Sequence, residues 1–156
     1  MSLYAARVLW QRQPHETFTD NAYSRLHQWQ FDEGVSVPAS SSVHAVPLPY
    51  SVSAAVDPEE ALVAAVSSCH MLWFLGICAK KGLLVEFYSD QATGMMAKNA
   101  AGRDAITHIV LRPDIVFGGE HQPTAAAIAK IHALAHQSCY IANSILAEVS
   151  IAAPLE

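Results

Sequence analysis

The chain has 156 residues and a net charge of -5, enough length for one domain with a real core. Neither the charge nor any Lys/Arg cluster suits a nucleic-acid partner. Apolar residues make up 52% and charged ones 15%, more apolar than a small lone subunit needs, so a sizeable subunit interface is expected.

The N-terminus "MSLYAARVLWQRQPHE" lacks a basic start followed by a long apolar run, so no signal peptide is expected. No apolar run reaches about 18 residues without a polar break, which predicts no spanning helix and no membrane partner. A cytoplasmic location follows. There the three cysteines are expected as buried thiols, metal ligands or catalytic thiols rather than structural disulfides.

In chain order, "YAARVLWQR" and "RLHQWQF" alternate apolar and polar residues and predict half-buried strands, with "FDEG" as a hairpin turn. Residues 38–55, rich in Pro and Ser, predict an ordered loop. Asp57-Pro58-Glu59-Glu60 is a helix start: a capping Asp, Pro at the first helical position, and carboxylates at the positive dipole end. The helix should run to about Lys81 and stop at Gly82. It is apolar nearly all round, which predicts a central, well-covered helix. "LLVEFYSDQATGMMAK" and "AITHIVLRPDIVF" read as two strands around a turn. "QPTAAAIAKIHALAHQS" reads as a second helix, "CYIANSIL" as its continuation or a short further helix, and "AEVSIAA" as a closing strand. The order is a two-layer α+β pattern.

Cys69 and Cys78 are nine residues apart on the first helix, about 13–14 Å of rise and half a turn out of phase. A disulfide needs Cα atoms within about 7 Å, so this pair cannot bond. Cys78 in "FLGICAKK" reads as a small buried hydrophobe. Cys69 sits among small residues (Ala64, Ala65, Ser67, Ser68) that leave room for a ligand beside the thiol, and a neighbouring cation would favour the nucleophilic thiolate. From chemistry alone a reactive and a structural Cys69 both stand. His132, His136 and Cys139 recur on one helical face, and that spacing has two readings. One is a metal site of two imidazoles and a thiolate. The other is a face packed on the core, which is preferred, because the trio needs a fourth ligand from elsewhere and matches no known zinc spacing.

Together, "VDPEEALVAAVSSCHMLWFL" and "AHQSCYIANSIL" resemble the OsmC/Ohr family of thiol-dependent hydroperoxide reductases. The first has a Pro-Glu, a small-residue apolar helix and a Cys ten positions after the Glu. The second has Ala-His-x-x-Cys-x-Ile-x-Asn-Ser. The resemblance covers nearly the whole chain, most specifically residues 56–78 and 135–146. It implies a single OsmC-like domain over residues 1–156: an α+β fold with antiparallel sheets around a long central helix, assembled as an intertwined homodimer.

The resemblance also implies a two-cysteine peroxidase that uses no cofactor or metal. Cys69 would be peroxidatic and Cys139 resolving, assisted by Glu59 of the Pro-Glu motif and an Arg from the N-terminal strands, here Arg25 with Arg12 as the fallback. Organic hydroperoxide would be the substrate and a dithiol, in the family typically a lipoyl group, the reductant. His70, Met71, Phe74 and Tyr140, with Trp73, are the candidates to meet substrate; Met71, Trp73, Phe74 and Tyr140 also read as ordinary core, and His70 either tunes the Cys69 thiol or points away and hydrogen-bonds backbone. His70 stands where the best-known organic-hydroperoxide branch has an aromatic, and the loop before the Pro-Glu lacks that branch's Gly-rich stretch. These departures point to a less characterised OsmC-like branch. The alternative is an OsmC-like protein that binds a metal or small ligand through His132, His136 and Cys139 without peroxidase activity.

Overall fold

The computed structural model describes residues 1–154 and divides the chain into two compact units, Met1–Ala61 and Leu62–Glu156. In the first unit, β1 (Arg7–Leu9), β2 (His27–Gln30) and β3 (Ser36–Ala39) form an antiparallel sheet in that order. The "FDEG" turn contains a short 3-10 turn at Asp32–Gly34, with Glu33 and Gly34 both at positive φ. The long β1–β2 connection carries an aromatic group: Trp10, Phe18 and Tyr23 lie with ring centroids 4.7–5.6 Å apart. The loop after β3 is ordered by the Ser40 hydroxyl, which accepts from the Val52 N–H at 3.0 Å, and by a bridge from Ala39 to Val56.

Helix α1 (Pro58–Lys80) starts at a reciprocal cap. The Glu60 N–H donates to Asp57 Oδ1 at 2.7 Å, and the Asp57 N–H donates back to Glu60 Oε2 at 3.5 Å. Gly82, at φ +69°, ends it. Its buried residues are Val66, His70, Phe74 and Cys78, one residue per turn, so within this chain one stripe of the helix is covered, while Leu72 on another face is exposed. By length and composition alone α1 could cross a membrane, which corrects the expectation that no segment is apolar enough. In this fold its stripe is occupied by core packing, and it includes a histidine with a buried hydrogen-bond partner.

Downstream of α1, the two expected strands are four: β4 (Leu84–Asp90), β5 (Thr93–Lys98), β6 (Asp104–Leu111) and β7 (Pro113–Gly118). β4 pairs antiparallel with β7, and β5 with β6. Each long apolar stretch therefore holds two strands, broken at Gln91–Ala92 and at Arg112. The Asn99–Arg103 turn joins β5 to β6; Asn99 Oδ1 accepts from the Ala101 and Arg103 N–H groups. Helix α2 (Ala125–Ser138) is capped by Thr124, whose hydroxyl accepts from the Ala127 N–H at 3.2 Å. A 3-10 turn (Ala142–Ser144) follows, and β8 (Glu148–Ile151) adds to β6 in parallel, in sheets otherwise antiparallel. Two apolar clusters fill this unit. One joins Phe74 and Cys78 to Ile131 and Ala135, the other Val66 to Ile109 and Leu111.

Candidate active site

Cys69 projects from the middle of α1, half-buried, one position before the stripe residue His70. Cys139 is the C-cap residue of α2 and is fully buried. Though 70 positions apart in sequence, the two cysteines are neighbours, near enough for Cys69 to raise the Cys139 thiol, and both are free. The turn after α2 explains the placement of Cys139. Its N–H caps the His136 carbonyl at 3.2 Å, which ends the helix and turns the side chain inward. The following turn aims N–H groups at the sulfur: Ala142 N–H lies 3.4 Å from Sγ, and the Ile141 N–H also interacts with it. Burial pushes the Cys139 thiol above its ordinary range, and neighbouring Cys69 adds to that, while the two backbone donors partly oppose it. Cys139 therefore rests as a thiol, in a pocket whose N–H groups favour the sulfur anion once it forms.

Cys78 is different. It is buried among Phe74, Ile131 and Ala135, and its thiol is pushed up by burial alone. It occupies the hydrophobe's place expected for it.

His70 and His132 are both buried, and His70 Nε2 lies 3.0 Å from His132 Nδ1. The ring planes are 13° apart with centroids 5.3 Å apart. That separation is the bond length plus one ring radius on each side, so the rings meet end to end through a nearly linear hydrogen bond rather than stacking. Two nitrogens so aligned leave no room for an ion between them. The remaining edge of His70, at Nδ1, is buried without a hydrogen-bond partner. Burial, then His132 and His136, push His70 down to about 4; burial also lowers His132. Asp90, at the end of β4, acts on both in the opposite sense. The pair is neutral at pH 7. Among the described residues no group of three His, Cys, Asp or Glu could hold a metal ion. His136 is half-buried on the same face of α2.

Of the residues expected to meet substrate, His70 and Phe74 are wholly inside the core and have no free surface in this chain. Met71 is half-buried. Tyr140 is exposed and meets Trp73 edge-on, centroids 5.6 Å apart. Arg25 is engaged locally: its guanidinium donates to the Asn21 carbonyl (2.9 Å) and side chain (2.7 Å) and lies 3.7 Å from the Tyr23 ring centroid. Arg12 donates to the carbonyls of Gln13, Pro14 and Glu16. Glu59 carries a buried Oε2 with no hydrogen-bond partner, and among the described residues neither arginine bonds it. Ser67, expected only as a small neighbour of Cys69, bonds Asp90, a residue absent from the sequence expectations, beside the cysteine segment. The signal for Asp90 was weak: an acid closing an apolar strand, ordinarily a solvated end.

A family model described as OsmC-like protein matches residues 51–153. Among solved structures, the chain is similar to an OsmC-like protein of unknown function from Vibrio cholerae, 53% identical, with TM-score 0.97 over 98% of this chain and 99% of that one. It is also similar in fold to an organic hydroperoxide resistance protein OsmC from Legionella pneumophila, 13% identical, with TM-score 0.68 over 99% of this chain and 100% of that one. The organic hydroperoxide resistance protein OhrB of Bacillus subtilis, 14% identical, superposes with TM-score 0.60 over 99% of this chain and 100% of that one. No curated protein sequence matches the chain.

Proposed function

Because this chain belongs to the OsmC-like family, we propose that it reduces organic hydroperoxides in the cytoplasm by a two-cysteine cycle, with Cys69 peroxidatic and Cys139 resolving. The single observation that carries the reading is the proximity of Cys69 to Cys139, whose thiol it raises, while Cys78 lies in a separate apolar cluster. Similarity in fold to proteins named for organic hydroperoxide resistance supports the substrate class.

The chemistry runs in two steps. The Cys69 thiolate attacks the distal oxygen of the hydroperoxide; the O–O bond breaks, and the alkoxide takes a proton and leaves as alcohol. The Cys139 sulfur then attacks the Cys69 sulfenic acid. An S–S bond forms, the S–O bond breaks, and hydroxide leaves with the thiol proton as water. The Ala142 and Ile141 N–H groups stabilise the Cys139 sulfur as it loses that proton. An external dithiol, such as a lipoyl group, restores both thiols by exchange. Met71 and Tyr140 offer apolar surface near the two cysteines in sequence to an organic substituent.

The orphaned Glu59 oxygen supports the assignment of a guanidinium partner there, with Arg25 the candidate and Arg12 the fallback. α1 is unbroken, so the ten positions from Glu59 to Cys69 rise about 15 Å along it. A homodimer that completes each site with the second copy meets that spacing and covers apolar side chains such as Leu72, Met95 and Phe87, which are 53–63% exposed in the single chain. Size-exclusion chromatography with light scattering should give twice the chain mass.

The deciding experiment is intact mass and free-thiol count after one equivalent of cumene hydroperoxide. Wild type should lose about two daltons and two thiols. Cys69→Ser should lose neither, and Cys139→Ser should accumulate a sulfenic acid. Three unchanged thiols in wild type would sink the peroxidase reading. The alternative, a metal or small-ligand site at His132, His136 and Cys139, has less support, since His132 Nδ1 is engaged with His70.

A further inference from the structure

The two thiols are carried by different helices, and those helices share one buried polar link. Cys69 is adjacent to His70 on α1, and Cys139 caps α2 seven residues, or two turns, after His132. The His70–His132 bond therefore fixes α2 against α1 within one residue of one sulfur and on the same α2 face as the other. The surroundings are apolar: Phe74 lies against His132 with centroids 4.4 Å apart, and Ile131 and Ala135 flank it on α2. Two leucine-like side chains would fill such a place without burying imidazoles. Apolar packing, however, lets helices slide by small steps, whereas a linear hydrogen bond tolerates little displacement. The orphaned Nδ1 of His70 is a further cost of keeping the pair there.

We propose that the His70–His132 hydrogen bond is the positioning element that holds Cys139 against Cys69, so that the pair governs closure of the disulfide and not the attack on peroxide. This rests on the two-cysteine reading. Neither imidazole needs to touch a sulfur for it to hold; His132 is a positioning residue that acts through His70. The charged and titratable groups acting on the pair are His136 from α2 and Asp90 from β4. Protonating both rings leaves two donors facing each other and breaks the bond, so closure weakens in acid.

The test separates the two steps in the full-length protein with cumene hydroperoxide. Stopped-flow oxidation reads the attack; quenched mass spectrometry, with a sulfenic-acid trap, reads closure. His132→Leu removes the bond; His132→Met is a second removal should the first fail to fold. His132→Asn returns an amide to the position of Nδ1. In His132→Leu or His132→Met, closure should slow by about fivefold or more, the scale set by one net hydrogen bond, with the attack unchanged. His132→Asn should recover most of the closure rate. Closure at the wild-type rate in a removal variant overturns the proposal, as does a loss shared equally by both steps. A wild type that forms no Cys69–Cys139 bond overturns the two-cysteine reading itself, and the positioning role with it.

Discussion

Ser67 on α1 donates its hydroxyl to Asp90 at the end of β4 across 2.5 Å. The other carboxylate oxygen of Asp90 accepts from the Arg112 N–H at 2.6 Å, in the one-residue link between β6 and β7. One side chain thus joins the cysteine helix to two strand ends.

Asp90→Ala should accordingly destabilise the protein by about 2 kcal/mol, because a charged acceptor with two short bonds is lost and the Arg112 N–H is left without its partner. Ser67→Ala should cost about 1 kcal/mol, since Asp90 keeps its backbone donor. Urea unfolding followed by circular dichroism measures both. Equal, negligible losses would mean that the carboxylate is solvated and joins nothing.

Acid should unfold the protein earlier than its carboxylates alone would dictate. His70 is lowered from 6.5 to about 4 and His132 is lowered as well, so the unfolded chain takes up protons first. The stability that the pair contributes is whole above about pH 6.5 and drains away as pH falls toward 4, on the order of 3 kcal/mol for His70. Urea midpoints at pH 7, 5.5 and 4.5 should fall steeply for wild type and less so for His70→Met. Parallel pH profiles for the two proteins would show that His70 is already protonated in the folded state or does not matter to it.

Helix ends were legible in the sequence, because caps are local: Asp57 with Glu60, Gly82 and Thr124 all act where their residue types imply. The strands of the second unit were less so. The breaks at Ser89-Asp90-Gln91 and at Arg112-Pro113 are short enough to read as polar positions within one strand, and the parallel pairing of β8 with β6 is set by tertiary packing. The same holds for the site. The two cysteines stand in recognisable segments, but the 62 positions between His70 and His132 hide their hydrogen bond from any local reading. The local grip of Asn21 and Tyr23 on Arg25 depends on a backbone turn with Asn21 at φ +63°, which composition does not announce.

Gly94 is a point of close approach. A Cβ there would lie 2.7 Å from Val63 Cγ2, so β5 meets α1 where only hydrogen fits. Gly94→Ala should cost about 1–3 kcal/mol as Val63 or the strand shifts. Pairing it with Val63→Ala should recover part of that loss, and the double-mutant coupling energy is the quantity to measure. Additive losses would place the strain elsewhere.

The three thiols should differ sharply toward iodoacetamide in the native state. The reagent reacts with thiolate, so access and ionisation both count. Cys69 is half-buried and reachable; Cys78 and Cys139 are buried, and burial raises both thiols above their ordinary 9.0. At pH 7.5 peptide mapping should find Cys69 labelled first and the other two only at the rate of unfolding. The same shifts predict alkaline behaviour. The unfolded chain ionises its thiols first, so the stability they contribute is intact below about pH 9 and declines above it. Cys78→Ala should flatten part of that decline, at a cost of about 1 kcal/mol from the small cavity, and leave peroxide-driven loss of thiols at Cys69 and Cys139 unchanged. Native labelling of Cys78 as fast as Cys69 would show that the Phe74–Ile131 cluster opens readily. The separation of one packing cysteine from two reacting ones would then have no structural basis.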